Sequence, residues 1–404
     1  MTMRAKSFSR LIIRIATGAV ALSLTVMILA TSLITGFQKE ISEKIYGFWG
    51  HIQVTRFDLN RSFENSPVSA HQPFLDSLAS TQGVRHVQAY ATKPGIIKTD
   101  EYFEGLVLKG VGEDFDWSFI RKHLQEGAVL SLPADSMSFD IILSRTTADR
   151  VRVKVGDRVS IHFIDPESRS TRLRVMTVRG IYNTGLAEYD KLFALVDLRQ
   201  IRRLNGWAED AVGGFEVFID NLPAGRAGVK RLDEMGDHVY DVIGTNLDSQ
   251  TIRELQPSIF DWLDLQTTNE YVVLIIMAIV AAINMITALL ILILERTPMI
   301  GTLKALGAGN WSIRKIFLLK AAFIIGFGLL FGNIAGIGLA AAQDVFGLIT
   351  LPEETYYVSV APVSFNWPLI LLLNAGAMLV CLASLIGPSY LVSRISPVKA
   401  LRFD

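Results

Sequence analysis

The sequence predicts a membrane protein with four transmembrane α-helices and a large α+β extracytoplasmic domain inserted between helices 1 and 2. Three observations carry this: four long stretches without charge, an uneven placement of Lys and Arg around them, and a long polar interval at 37–269 with a different hydrophobic period. At 404 residues and formal net charge +0, the chain has room for more than one folding unit, at least one of them strongly apolar.

The charge-free stretches run 15–36, 271–294, 321–343 and 365–392. Crossing a hydrocarbon core of roughly 30 Å takes about 20 helical residues, and each stretch supplies them. The first exceeds the core of a secretory signal and contains no clean small-x-small site, so it is read as a retained helix.

Basic residues collect on the cytoplasmic side of short flanks. Arg4, Lys6, Arg10 and Arg14 accompany the first span, and Arg296, Lys304, Arg314, Lys315 and Lys320 lie between spans two and three against Glu295 alone. Arg394, Lys399 and Arg402 follow the fourth span, whereas the loop before it holds Asp344, Glu353 and Glu354. The expected order is a cytoplasmic N-terminus at 1–10, a first span at 11–36, an outer domain at 37–269 and a second span at 270–294. A cytoplasmic loop at 295–315, a third span at 316–343, an outer loop at 344–364, a fourth span at 365–392 and a cytoplasmic tail at 393–404 complete it. Both termini are then cytoplasmic and the protein is multi-pass.

The outer domain opens with an alternating strand at 51–57, a short helix at 73–80 and a strand at 84–92. The order returns late: a strand at 215–219, a helix at 223–236 closed by Gly236, and a strand at 239–243. Two βαβ-like halves thus bracket a β-rich lobe at about 126–212, rich in turn signals such as Gly156-Asp157. The amphipathic segment 251–268 leads without a glycine into the second span and extends it as a stalk. The single cysteine, Cys381, lies in the fourth span, so the outer domain has no disulfide and no cysteine-based metal or thiol site. Its histidines, His51, His71, His86, His123, His162 and His238, lack metal-ligand spacing. The domain carries more Asp and Glu than Lys and Arg, which argues against nucleic acid as a partner.

The most informative stretch is the cytoplasmic one, ERTPMIGTLKALGAGNWSIRKIFLLKA, from Glu295. Pro298 suits a first helical turn, Ile300, Leu303 and Leu306 form an apolar stripe, Gly307 and Gly309 end the helix, and Asn310 is placed to cap the next. A short amphipathic helix here either lies in the lipid interface or docks into another protein's groove, and the residues alone favour neither.

This stretch resembles the cytoplasmic signature of the FtsX/MacB-like ABC transporter permeases, and the ending ISPVKALRFD resembles their tail. Within that superfamily, TGFQKEISEKIYGFWGHIQV and LSRTTADRVRVKVGDRVSIHF are similar to the lipoprotein-releasing permeases of the LolC/LolE type. The resemblance implies a permease subunit, not itself an enzyme, in a complex with a cytoplasmic ABC ATPase dimer and a second permease subunit, as a homo- or heterodimer. Its cargo would be lipoproteins extracted from membrane lipid and passed to a periplasmic lipoprotein carrier. The hairpin at Asp165 to Thr171 is shorter than the carrier-binding hairpin of the LolC branch. Glu295, Arg296, Met299, Ile300, Gly301, Leu303, Lys304, Ala305, Leu306 and Gly307 would form the ATPase-coupling element.

No GxxxxGK[ST] loop occurs, so no nucleotide cofactor is expected in this chain; ATP and Mg fall to the partner ATPase. Gly328, Gly332 and Gly336 recur every four residues in the third span and suit close helix packing, within the subunit or against another. Asn284 and Thr287 in the second span are candidates either for a cargo cavity or for helix–helix hydrogen bonds. A MacB-like efflux permease and an FtsX-like regulator of a cell-wall hydrolase are the alternative functions for this architecture.

Overall fold

The computed structural model describes residues 2–58, 63–99, 101–164, 171–223 and 225–394. The chain divides into two compact units: one holds the spans, the other is Gln38–Phe260 with Thr350–Ser359. The hairpin at 165–170 and the tail at 395–404 lie outside the described residues.

The first helix, α1 (Thr2–Trp49), continues without a break past the expected end of the first span. It stops at Gly50, whose φ of 71° turns the chain into the outer domain. There follow β1 (Ile52–Arg56), β2 (Val68–Ser69), α2 (Phe74–Ser80), β3 (Val84–Lys98), β4 (Phe103–Val111), α3 (Ser118–His123), β5 (Leu124–Gly127), β6 (Asp140–Ser144) and α4 (Arg145–Val151). Next come β7 (Arg158–Ile164), β8 (Thr171–Tyr182), α5 (Ala187–Leu192), β9 (Phe193–Asp197), α6 (Leu198–Asn205), β10 (Ala211–Val212) and β11 (Gly214–Ile219). The domain closes with α7 (Arg226–Val242), β12 (Leu247–Thr251) and α8 (Ile252–Leu255).

The two bracketing segments form one antiparallel sheet in the order β12-β1-β11-β3. Helices α2 and α7 belong to its core through Phe74, Leu78, Leu232 and Val239, packed with Ile52, Val54, Phe215 and Val217. This is a split βαβ arrangement, with β1-α2-β3 and β11-α7-β12 as its halves. The second half differs from expectation. Gly236 does not end the helix, and 239–242 is its last turn; the strand is Leu247–Thr251 instead. Leu232, Val239 and Ile243 keep helical spacing on a buried face, and that burial outweighs the ~1 kcal/mol a mid-helix glycine costs.

The β-rich lobe begins earlier than expected because it borrows from the first half. Strand pairing runs β3-β4-β9-β6-β8-β7 and returns to β3 through Ile96–His162 and Lys98–Ser160, so the sheet closes on itself. Strand β3 serves both parts: its start pairs with β11 and its end with β4 and β7. The inward side is a continuous core of Ile97, Leu106, Leu108, Ile141, Leu143, Val159, Ile161, Phe163, Met176 and Val178.

Two polar groups are buried where α1 enters this domain. Lys109 and Glu216 are both fully enclosed, with Nζ to Oε1 at 2.6 Å. Lys109 also donates to the Phe48 carbonyl at the end of α1 and lies 4.4 Å from the Trp49 ring centre and 4.9 Å from that of Phe48. Glu216 Oε2 accepts from Gln88 Nε2 at 2.7 Å. Burial drives Lys109 down and Glu216 up, toward loss of charge, and their mutual attraction opposes both.

His51 follows directly. Its ring stacks on Tyr46 at 4.4 Å and its Nδ1 accepts from the Ile219 N–H at 3.1 Å. Burial first, and the Arg85 charge second, push its pKa down to about 3. Because the folded value lies below the unfolded one, this histidine's contribution to stability is complete above pH ~6.5 and is lost as pH falls towards 3, at about 1.4 kcal/mol per unit. Between pH 7 and 5 the solubilised protein is expected to lose about 2 kcal/mol more stability than the His51→Gln variant, read from Tm. Parallel pH profiles of the two proteins would overturn this.

The spans are α1, α9 (Pro257–Glu295), α11 (Asn310–Phe346) and α13 (Trp367–Ser384), all within segments long and apolar enough to cross a membrane. Between them lie α10 (Thr297–Ala305) and α12 (Glu353–Tyr356), and α14 (Ile386–Ser389) and α15 (Leu391–Arg394) follow. The expected stalk is broken once, at Gln256, and then α9 runs unbroken through the second span.

Candidate functional site

The turn between α9 and α11 gathers the residues singled out for coupling. Pro298 occupies the first turn of α10, which spans Thr297–Ala305, and Gly307 at φ 90° turns the chain back. Ile300 and Gly301 are buried, Ile300 in one core with Ile313 and Phe317 of α11. Leu303 packs against the same core. Leu306 departs from the expected stripe: it lies just past the helix end and is 80% exposed, with Met299 at 40%. Ala305 and Gly307 are exposed beside it, as is Arg296 at the helix start. Asn310 is the first residue of α11 and not its cap; Gly309 holds that position.

Polar contacts fasten this turn to the chain's last described residues. Lys304 Nζ donates to the Ser393 carbonyl at 3.2 Å. The Arg314 guanidinium donates to Ser389 Oγ at 3.2 and 3.1 Å and stacks 4.3 Å from the Tyr390 ring centre. Glu295 is half-buried, and its Oε2 is enclosed with no hydrogen-bond partner among the described residues. The outcome is a small helix with two faces: Ile300, Gly301 and Leu303 seated on the spans, and Met299, Ala305 and Leu306 presented outward.

The glycine stripe has a neighbour within the subunit. A Cβ at Gly332 would lie 2.9 Å from both the Ala21 carbonyl oxygen and Leu24 Cβ, one at Gly328 2.8 Å from Val20, and one at Gly336 3.1 Å from Ile28. Thr25 Oγ1 adds a hydrogen bond to the Gly332 carbonyl at 3.2 Å. The stripe is therefore where α1 and α11 touch.

Asn284 and Thr287 are not brought together into a site. Thr287 donates to the Ile283 carbonyl one turn back at 2.9 Å, and Asn284 is only half-buried. A shallow cleft lies between α1, α9 and α13, lined by Val20, Leu24, Ala281 and Cys381 among others, and neither residue lines it. Sequence reasoning missed a different amide pair. Asn333 of α11 and Asn374 of α13 exchange side-chain hydrogen bonds at 2.6 and 3.0 Å, and each also donates to the carbonyl four residues back at 2.8 Å. A lone amide in the middle of an apolar run was the available signal, since hydrocarbon offers it no other partner.

Residues 271–397 match the FtsX-like permease C-terminal family. The lipoprotein-releasing system transmembrane protein LolC of Xylella fastidiosa is 23% identical over 95% of this chain and 92% of its own length. The lipoprotein-releasing system transmembrane protein LolE of Haemophilus influenzae is 20% identical over the same shares. The periplasmic region of MacB from Actinobacillus actinomycetemcomitans superposes on 55% of this chain and 98% of its own at 15% identity and a TM-score of 0.34. Residues 271–397 thus resemble the C-terminal part of FtsX-like permeases, and along nearly its whole length the chain is similar to transmembrane proteins of the LolC and LolE type.

Proposed function

We propose that this protein is the permease subunit of an inner-membrane complex that uses a partner's ATP hydrolysis to extract lipoproteins for transfer towards the outer membrane. The observation that carries the reading is full-length: likeness to lipoprotein-releasing transmembrane proteins covers the spans and the outer domain alike. Both termini face the cytoplasm, where a dimeric ABC ATPase holds ATP and Mg and seats α10 in a groove. A second permease subunit completes the membrane part.

The two faces of α10 support the docking half of this reading. Apolar side chains on a short exposed helix lose little in the fold when changed and much in a groove. Leu306→Asp is expected to leave the protein in the membrane at normal level and to lower lipoprotein release at least about tenfold. Gly301→Asp is not an equivalent probe, because Gly301 is buried against the spans and a carboxylate there disturbs packing first.

The test is depletion in the host followed by membrane fractionation. Triacylated lipoproteins should accumulate in the inner membrane, with release restored by the wild-type chain and not by Leu306→Asp. An unchanged distribution on depletion would refute lipoprotein release.

A further inference from the structure

The loop between the third and fourth spans has a second attachment. Residues Thr350–Ser359 pack with the outer domain and not with the spans. The loop is closed at its neck, where Ala361 N donates to the Ile349 carbonyl at 3.0 Å and Leu351 N to the Ser359 carbonyl at 2.9 Å. Inside it, Tyr357 ends α12 at φ 60°, one of three non-glycine residues with positive φ among the described residues. An aromatic residue in that region costs roughly 1–3 kcal/mol and persists only where its surroundings hold it.

What holds it is specific. Lys44, on the outer turns of α1 and only 8% exposed, donates from Nζ to the Tyr357 carbonyl at 3.0 Å. The Tyr357 hydroxyl hydrogen-bonds the Glu188 carboxylate of α5. Gly185, at φ 75°, leaves room for both the Glu353 carboxylate and the Lys44 ammonium; a Cβ there would collide with the first and lie 2.7 Å from the second. A strained backbone residue, a nearly enclosed lysine and a glycine-made gap thus converge on one loop of the span unit's connection.

Chain continuity gives this contact a mechanical meaning. Helix α11 starts at the coupling turn, where Ile313 packs with Ile300, and runs unbroken to Phe346, a few residues before the loop. We propose that the Lys44–Tyr357 contact is a force-bearing attachment through which the third span, as well as the second, drives the outer domain, with Lys44 as its positioning residue. This rests on the transporter reading above.

The test uses the full complex with its partner ATPase in proteoliposomes, reading ATP hydrolysis and lipoprotein release separately. Lys44→Met is expected to leave ATP hydrolysis near wild type and to reduce release per ATP at least about fivefold. The double variant Lys44→Cys, Tyr357→Cys should be similarly uncoupled and regain release once joined by a short bis-maleimide; Cys381 is buried in the fourth span and does not compete. Should Lys44→Met not reach the membrane, Lys44→Gln, which keeps a donor on a shorter arm, gives the same comparison with a smaller fall, whereas Tyr357→Phe removes only the hydroxyl bond to Glu188 and leaves the Lys44 bond to the Tyr357 carbonyl. Wild-type release per ATP in Lys44→Met, or no recovery on bridging, would overturn the attachment. Wild-type protein that hydrolyses ATP with its partner yet releases no lipoprotein would instead overturn the transporter reading, and the attachment with it.

Discussion

Replacing Lys109 by alanine is expected to destabilise the outer domain by about 3–5 kcal/mol, because it leaves the Glu216 carboxylate fully buried without its counter-charge. That is a large part of the roughly 5–15 kcal/mol by which a domain is stable. The loss has a second component, since the Phe48 carbonyl at the end of α1 loses its donor. The double variant Lys109→Met, Glu216→Leu should recover most of the loss, as apolar replacements of buried ion pairs do. Thermal unfolding of the solubilised protein measures both. A double variant no more stable than Lys109→Ala would mean that the pair is not the source of the effect.

The second large effect is expected at Gly332. A valine there must push against the Ala21 carbonyl and Leu24 Cβ, main chain and first side-chain carbon of the facing helix, neither of which moves without the helix. Overpacking of this kind costs about 1–3 kcal/mol and more when backbone must move, and helices pushed apart lengthen the bond from Thr25 Oγ1 to the main-chain carbonyl of residue 332 as well. Gly326→Val and Gly338→Val are the controls, since a Cβ at either meets nothing within 4 Å. Retention of folded protein in detergent should fall sharply for Gly332→Val only. Equal behaviour of all three would show that α1 and α11 do not depend on their close approach.

Several features could be read from residues alone because their physics is local. The spans follow from hydrocarbon thickness, and helix α10 from Pro298, Gly307 and the apolar spacing between. Strands β1 and β11 and helix α2 are visible as short periodic runs, close to where the structure has them. Long-range pairing is different. Nothing local tells that β3 leaves one partner at Tyr90 and takes up β7 at Ile96, so the barrel's true start is invisible to periodicity. Gly236 misled for the opposite reason: its local preference to end a helix yielded to the burial of Val239.

The candidate site divides along the same line. Ile300 and Leu306 look equivalent in a helical stripe, yet one is enclosed and the other exposed, because the helix stops at Ala305 before Leu306 can share the face. Likewise the glycine stripe announces a close contact without naming its partner, which Val20, Leu24 and Ile28 reveal. Asn333 and Asn374 carry meaning only as a pair, and pairing is a property of two helices brought side by side.

The closed ring of strands bears on how copies of this domain tolerate one another. Open sheet edges on neighbouring copies invite strand exchange and fibre growth. Among the described residues the ring spends its edges on itself, and what remains free is short: β12, with Asp248, and β5, with Glu126. Brief acidic margins make poor templates for a neighbour's backbone. Crowding in the membrane plane can then bring these domains into contact without stitching them together.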